Sequence, residues 1–310
     1  MSLERGVSSI LRAQVGWEIR ECAHTTDYWA TADWNLGISS RDSASHWTLA
    51  EFQSLSSIID DYIAPNLIGR NVFETEKIYD MMTRILSPIG SNSFSTRAIS
   101  AVDLALWDLK GKILQQPVVS MIGGQVGSIR VYGSSMKRDI TPKDEAVRFK
   151  TLQDEKGINA FKYRIGAECG NGNDEWEGRS EEIIKTINKE LNPSTAKLAD
   201  ANSCYSPDQA IEIGKLLEDN DVTHFEEPCP YWKPEQTKMV TNALTLDVTG
   251  GEQDCDFRIW NDMIKRKIVN IYQPDIMYMG GLTRTLKLVN MINDKAILIS
   301  NTQELSPLPF

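Results

Sequence analysis

Four carboxylates recur at nearly constant spacing in the second half of the chain. Asp200, Glu226, Glu252 and Asp275 are separated by 26, 26 and 23 residues. Each ends or follows a short apolar run, in Lys197-Leu-Ala-Asp-Ala-Asn202, His224-Phe-Glu-Glu-Pro228, Thr249-Gly-Gly-Glu-Gln253 and Tyr272-Gln-Pro-Asp275. One acid at such a place is more often a helix N-cap or a solvated loop residue. Several in phase point further: like charges brought into one site repel, and a hard divalent ion such as Mg2+, which takes oxygen ligands, resolves that conflict. Asp200, Glu226 and Glu252 are therefore read as metal ligands. Upstream, Phe161-Lys-Tyr-Arg-Ile165 alternates so that Lys162 and Arg164 share the face opposite Phe161, Tyr163 and Ile165. With the apolar set packed outward, both cations point toward the acids. There they could hold an anionic substrate, and a desolvated Lys can act as a base. The bland alternative is a pair of cations that only neutralise core carboxylates.

A spacing near 25 residues is close to one strand plus one helix. From residue 129 onward, short apolar strands at 130–133, 160–165, 196–199, 223–226, 246–249, 269–273 and 296–300 alternate with amphipathic helices. Seven strands with six intervening helices suit a β/α barrel, whose C-terminal mouth is where such folds gather their chemistry. No glycine-rich phosphate fingerprint follows the first strand, which weakens a dinucleotide-binding reading. Up to about residue 126 the signals are mainly helical. Helices are expected over 48–63, 74–86 and 96–114, the last with Ile99, Val102, Leu106, Leu109 and Ile113 on one face. A strand is expected within 13–22 and a long loop over 23–47. The division is a capping domain at 1–126 and a metal-binding barrel domain at 127–310, in an α/β chain.

Composition narrows the partners. The chain has 310 residues, 41% apolar and 25% charged, values of a globular rather than a disordered protein. Its 43 acidic against 33 basic side chains leave a net charge of −10, which argues against nucleic acid as a partner. Five cysteines, none closer than 25 residues to the next, have no zinc-site spacing and read as free thiols in a reducing compartment. No apolar run approaches the length of a membrane span. The expectation is a cytoplasmic protein with no membrane partner.

These residues carry a resemblance. Ala101-Val-Asp-Leu-Ala-Leu-Trp-Asp-Leu-Lys-Gly-Lys112 with Gly123-Gly124, then Phe161-Lys-Tyr-Arg164, Ala199-Asp-Ala-Asn202, Phe225-Glu-Glu-Pro228, Gly250-Gly-Glu252, Gln273-Pro-Asp275 and Gly280-Gly281 follow one another in order. The chain resembles the enolase superfamily, in its mandelate racemase and muconate lactonizing enzyme branch, over roughly residues 48 to 295. The resemblance implies an α+β capping domain followed by a (β/α)7β barrel, and Mg2+ held by Asp200, Glu226 and Glu252. It implies a reaction that removes the proton beside a substrate carboxylate and stabilises the resulting enediolate. Lys162 falls on the first cation of the family's Lys-x-Lys pair and Arg164 on the second. Asn202, Lys162 and Arg164 would bind substrate, and Lys162, Arg164 and Asp275 would carry catalysis. Arg at the second position resembles the acid-sugar dehydratases, lyases acting on a sugar acid, since a guanidinium is a poor base and a two-base racemase needs one. The resemblance also implies a homo-oligomer.

Two departures stand out. The family places a His on the seventh strand as base, oriented by the acid that here is Asp275; this chain has His24, His46 and His224, with Ser300-Asn301-Thr302 at the expected place. His224 is read as a satisfied core residue and His24 as a loop residue. Relatives also begin with further cap strands and continue beyond a seventh strand, so the barrel is expected to lack its last unit. The alternatives are a catalytically degenerate metal- or acid-sugar-binding remnant, and a racemase or cycloisomerase of the same superfamily.

Overall fold

A computed structural model describes residues 54–90, 92–128 and 131–293, with the backbone of 298–299. Its longer elements are α1 (Thr75–Leu86), α2 (Phe94–Leu114), β1 (Gly133–Ser134), α3 (Pro142–Lys156), β2 (Ala160–Arg164), α4 (Arg179–Glu190), β3 (Ala196–Asp200), α5 (Pro207–Glu218), β4 (His224–Glu226), α6 (Pro234–Ala243), β5 (Asp247–Gly250), α7 (Phe257–Arg266), β6 (Ile271–Tyr272), α8 (Leu282–Asn293) and β7 (Leu298–Ile299). The strand expected within 13–22, the loop 23–47, His24 and His46 lie outside the described residues. So do the side chains around 300–302.

The chain divides into two compact units. The first comprises Met1–Ser128, Asp254–Phe257 and Asp275–Met291. Its core is helical. Ile78, Tyr79, Met82 and Leu86 form the buried stripe of α1; Ala98, Ile99, Val102, Ala105 and Leu106 that of α2. Ile59, Ile63 and Leu67 join them from a helical stretch with a π-helical turn at Ile58–Ile63. The expected face of α2 is corrected at its far end: Leu109 is 44% and Ile113 52% exposed. The reason is length, since at 1.5 Å per residue α2 runs about 31 Å and α1 about 18 Å. Periodicity continues past the point where α1 can cover it.

Asp103, inside the motif segment, is fully buried in this unit. Its Oδ2 accepts the Thr283 N–H at 2.9 Å and its Oδ1 the Thr283 hydroxyl at 2.5 Å, while the Trp107 indole N–H donates to the same hydroxyl at 2.8 Å. The carboxylate thus satisfies free N–H groups at the start of α8. Gly281 makes the approach possible: its φ is +86°, and a Cβ there would lie 2.5 Å from Asp103 Oδ2.

The second unit comprises Ile129–Gln253, Arg258–Pro274 and Ile292–Phe310, and holds one parallel sheet ordered β1 to β7. The strands expected at 160–165, 196–199, 223–226 and 246–249 are present within one residue at each end. Phe161, Tyr163 and Ile165 are fully buried, and Phe161 stacks on Phe149 of α3 with centroids 4.5 Å apart. Helix starts are locally encoded. Thr141 accepts from the Asp144 N–H ahead of Pro142, and Ser206 with Gln209 forms a capping box ahead of Pro207.

Burial raises the Asp103 carboxyl from 3.8 to about 6. A carboxyl raised in the folded state favours folding below its unfolded pKa, and that contribution is lost as pH climbs through the folded value. Between pH 4 and 7 the stability advantage of the native protein over Asp103→Asn should therefore shrink by on the order of 3 kcal/mol. Urea unfolding of both proteins across that range checks this; a difference independent of pH contradicts it.

Candidate active site at the strand ends

The register of the sheet sets the site. Arg164 pairs with Asp200, Asp200 with Glu226, and Glu226 with Thr249, so four residues form one lateral row across β2 to β5. Lys162 lies two residues earlier, level with Ser134 and Leu198. Register-paired residues of parallel strands share a face, which is why one cation-bearing strand meets two acid-bearing ones. All four charged side chains are buried, Asp200 completely.

The contacts are dense. Lys162 Nζ donates to both oxygens of Glu226 at 2.8 Å and stands 3.3 Å from Asp200 Oδ2. Arg164 pairs through Nη1 with Asp200 Oδ2, and the same nitrogen donates to Asn202 Oδ1 at 2.7 Å. Its Nε donates to the Ser135 carbonyl at 3.1 Å, and Nη2 lies 3.0 Å from Met136 Sδ. These two contacts tie Arg164 to the residues that follow β1. Gln273 Nε2 donates to Glu226 Oε2 at 3.0 Å, and the Asn202 backbone N–H to Asp200 Oδ1 at 2.9 Å.

Two acids lie close by. Glu227 is buried at φ +42°, a left-handed conformation that few non-glycine residues adopt without surrounding support. Glu252 is half-buried and accepts from Gln253 Nε2 at 3.3 Å. Burial opposes the Asp200 charge, but Arg164 and Lys162 outweigh it and hold that carboxyl at about 2. Burial, reinforced by Asp200, raises Glu226. Glu227 is raised far more, by burial and then by Glu252, and burial with Glu226 pushes Glu252 up to about 8. Burial pulls Lys162 down, yet Glu226, Tyr132 and Asp200 lift it well above the ordinary lysine value.

Glu227 Oε1, Thr249 Oγ1 and Gln273 Oε1 are buried with no hydrogen-bond partner among the described residues. Among those residues, no three His, Cys, Asp or Glu side chains form a ready metal cage in this arrangement, where the Lys162 ammonium lies between Glu226 and Asp200. The donor chemistry nonetheless fits a hard cation. Oxygens from three consecutive strand exits, mutual repulsion that raises Glu226 and Glu252, and orphaned acceptor oxygens describe surplus negative charge in a buried place.

Sequence reasoning did not single out Gln273, Glu227 or Arg138. Gln273 stood inside a quoted motif and Glu227 beside a named acid, so position was their only signal. Arg138 lies in a loop without periodicity. Asp275 falls in the first unit, where its Oδ1 accepts the Met277 N–H at 2.7 Å and caps the short helix Ile276–Met279. His224 is buried, with Nδ1 2.7 Å from Thr223 Oγ1, and burial lowers its pKa.

Removing one partner of a buried ion pair leaves the other charge uncompensated. In protein stripped of divalent ions, Glu226→Gln should cost about 3 kcal/mol and Lys162→Met a similar amount. The double variant Lys162→Met/Glu226→Leu should recover most of the loss. Urea unfolding in chelator measures all three, and strict additivity would contradict the coupling.

Known proteins bear on this geometry. Residues 144–303 match the enolase C-terminal domain-like family, and residues 39–123 match the N-terminal domain of mandelate racemase and muconate lactonizing enzyme. The L-talarate/galactarate dehydratase of Salmonella typhimurium is 26% identical over 232 residues, 74% of this chain and 56% of that protein. A solved structure from Roseobacter denitrificans, provisionally assigned as a racemase, superimposes with a TM-score of 0.78 at 48% identity, covering 81% of this chain and 68% of that one. An enolase from Bradyrhizobium, solved with magnesium and mandelic acid, gives a TM-score of 0.74 at 25% identity over 82% of this chain and 68% of its own. The chain thus spans less than two thirds of the length of the dehydratase. With both family regions matched in order, and the acids at successive strand exits, the chain belongs to the enolase superfamily, in its mandelate racemase and muconate lactonizing enzyme subgroup.

Proposed function

We propose that this chain carries the site of a Mg2+-dependent carbon–oxygen lyase of the acid-sugar dehydratase type. In this reading residues 1–126 are the capping domain and 127–310 the metal-binding domain of (β/α)7β type. Asp200, Glu226 and Glu252 would hold the ion. When bound, it would supply positive charge for a substrate carboxylate and acidify the adjacent C–H.

The chain's own side chains divide the remaining work. Arg164 binds and neutralises; it cannot take a proton at any ordinary pH. Lys162 is different, because burial alone favours its neutral amine and the charges of Glu226 and Asp200 keep the proton on. Once those charges are otherwise compensated, its amine can accept the α-proton. Asn202 sits beside Arg164 at the rim and contributes to substrate binding. Asp275, the acid that follows β6, joins them in the catalytic set. The substrate is a small carboxylate, a sugar acid: the proton taken by Lys162 from the α-carbon would be returned to the neighbouring hydroxyl, which leaves as water, and the enol so formed would tautomerise to the 2-keto-3-deoxy acid.

One observation carries the choice of lyase over racemase: Arg164, locked on Asp200 and Asn202, stands where a second proton-transferring amine would be needed. The relative named as a talarate/galactarate dehydratase supports the same reading. A racemase remains the second reading, favoured by the 48% identity to the Roseobacter protein.

Incubation with a panel of aldarates and aldonates plus Mg2+ in D2O separates them. The proposal expects a 2-keto-3-deoxy product, lost on chelation and reduced by about a thousandfold in Lys162→Met. Deuterium appearing at the α-carbon of unchanged acid, with inversion and no elimination, would establish the racemase instead. Retained metal binding with neither reaction would leave only a binding remnant.

A further inference from the structure

We infer that Arg138 is a positioning residue of this site, acting through Asn202; the inference rests on the reading of Arg164 and Asn202 as substrate-holding groups. Arg138 follows β1, and its side chain is 12% exposed. Nε donates to the Gly166 carbonyl at 3.0 Å, just after β2, and Nη2 donates to Asn202 Oδ1, just after β3. One guanidinium therefore ties three consecutive strand exits together.

Asn202 is fixed from every side. Oδ1 accepts from both Arg138 and Arg164, which settles the orientation of the amide and turns its NH2 group toward Glu227. Its backbone N–H donates to Asp200 and its carbonyl accepts the Cys169 N–H at 2.9 Å. Asn202 and Ser203 are consecutive residues at positive φ, +40° and +64°. Such a backbone persists where its surroundings over-determine it, and Arg138 is one of the groups that do so.

The charge matters as well as the bonds. Arg138 and Arg164 donate to one amide oxygen and repel, with Asp200 as a counter-charge to both. Arg164 is held by its own ion pair with Asp200, and the Arg138 charge works against any shift of Arg164 toward it. Removing that charge would let the Arg164 fork swing toward the vacated lone pair of Asn202. Lys in place of Arg138 keeps the charge but, as a point donor, cannot serve Gly166 and Asn202 in the same fixed geometry.

The test compares Arg138→Gln, Arg138→Lys and, as control, Glu175→Gln, which removes the 3.9 Å contact between Glu175 and Arg138 and a charge that also acts on Arg179, while leaving Asn202 and Gly166 bonded. On whichever panel acid the native protein dehydrates, R138Q should lower kcat/KM by about 30-fold, a size usual for groups that orient a site residue. Mg2+ affinity should stay close to native, and Tm should fall by only about 2–4 °C, with the chain still folded at the assay temperature. R138K should recover about fivefold of that loss, and E175Q should stay within about twofold of native. A kcat/KM for R138Q within about threefold of native overturns the inference, as does a loss in both Arg138 variants that only tracks loss of folded protein. Where the native protein turns over no acid, the proposed function fails by itself. Hydrogen exchange at the Arg164 Nε–H then decides the inference: about tenfold faster exchange in R138K or R138Q supports it, and unchanged exchange overturns it.

Discussion

Asp200 and Glu226 stand in register at the exits of β3 and β4, almost wholly out of water, with Glu227 and Glu252 near them. Carboxylates so placed repel, and each loses the hydration that would pay for its charge. The surrounding architecture answers that constraint. β2 contributes two cations on the same face, β6 leads to an amide donor in Gln273, and the loop after β1 adds Arg138. Four carboxylates against Lys162, Arg164 and Arg138 still leave an excess of negative charge. It appears as raised carboxyl pKa values and as acceptor oxygens without donors.

Lys162 gives the site its two faces. Its ammonium lies within 3.3 Å of Asp200 and 2.8 Å of Glu226, doing with one charge what a divalent ion would do with two. Burial and Coulomb attraction act on it in opposite directions, so its proton affinity depends on how the acids are compensated. In the proposed reading, the residue that compensates the acids would take a proton once they are compensated otherwise. Arg164 has no such range and stays a fixed charge.

Part of this was legible from residues alone. The phased acids and the Phe161–Ile165 alternation are local patterns, and each maps onto one strand exit or one strand face. The starts of α3 and α5 are also local features, because Thr141-Pro142 and Ser206-Pro207 carry their caps beside them. What escaped depends on partners distant in sequence. Leu109 and Ile113 keep the helical period but outrun α1, and nothing in α2 records the length of its neighbour. Gln273 and Arg138 acquire roles only because the sheet brings Glu226 and Asn202 beside them. Asp275 also accepts the Met277 N–H through Oδ1, a capping bond that its phase with the other acids does not signal.

The central claim is that Asp200, Glu226 and Glu252 share one hard divalent ion. Electron paramagnetic resonance of the protein titrated with Mn2+ tests it most directly, because the free ion's signal disappears as the ion binds. The account predicts one bound Mn2+ per chain, displaced by Mg2+, with binding sharply weakened by Asp200→Asn, Glu226→Gln or Glu252→Gln taken singly. Full retention of the free-ion signal, or binding that survives all three substitutions unchanged, would contradict it.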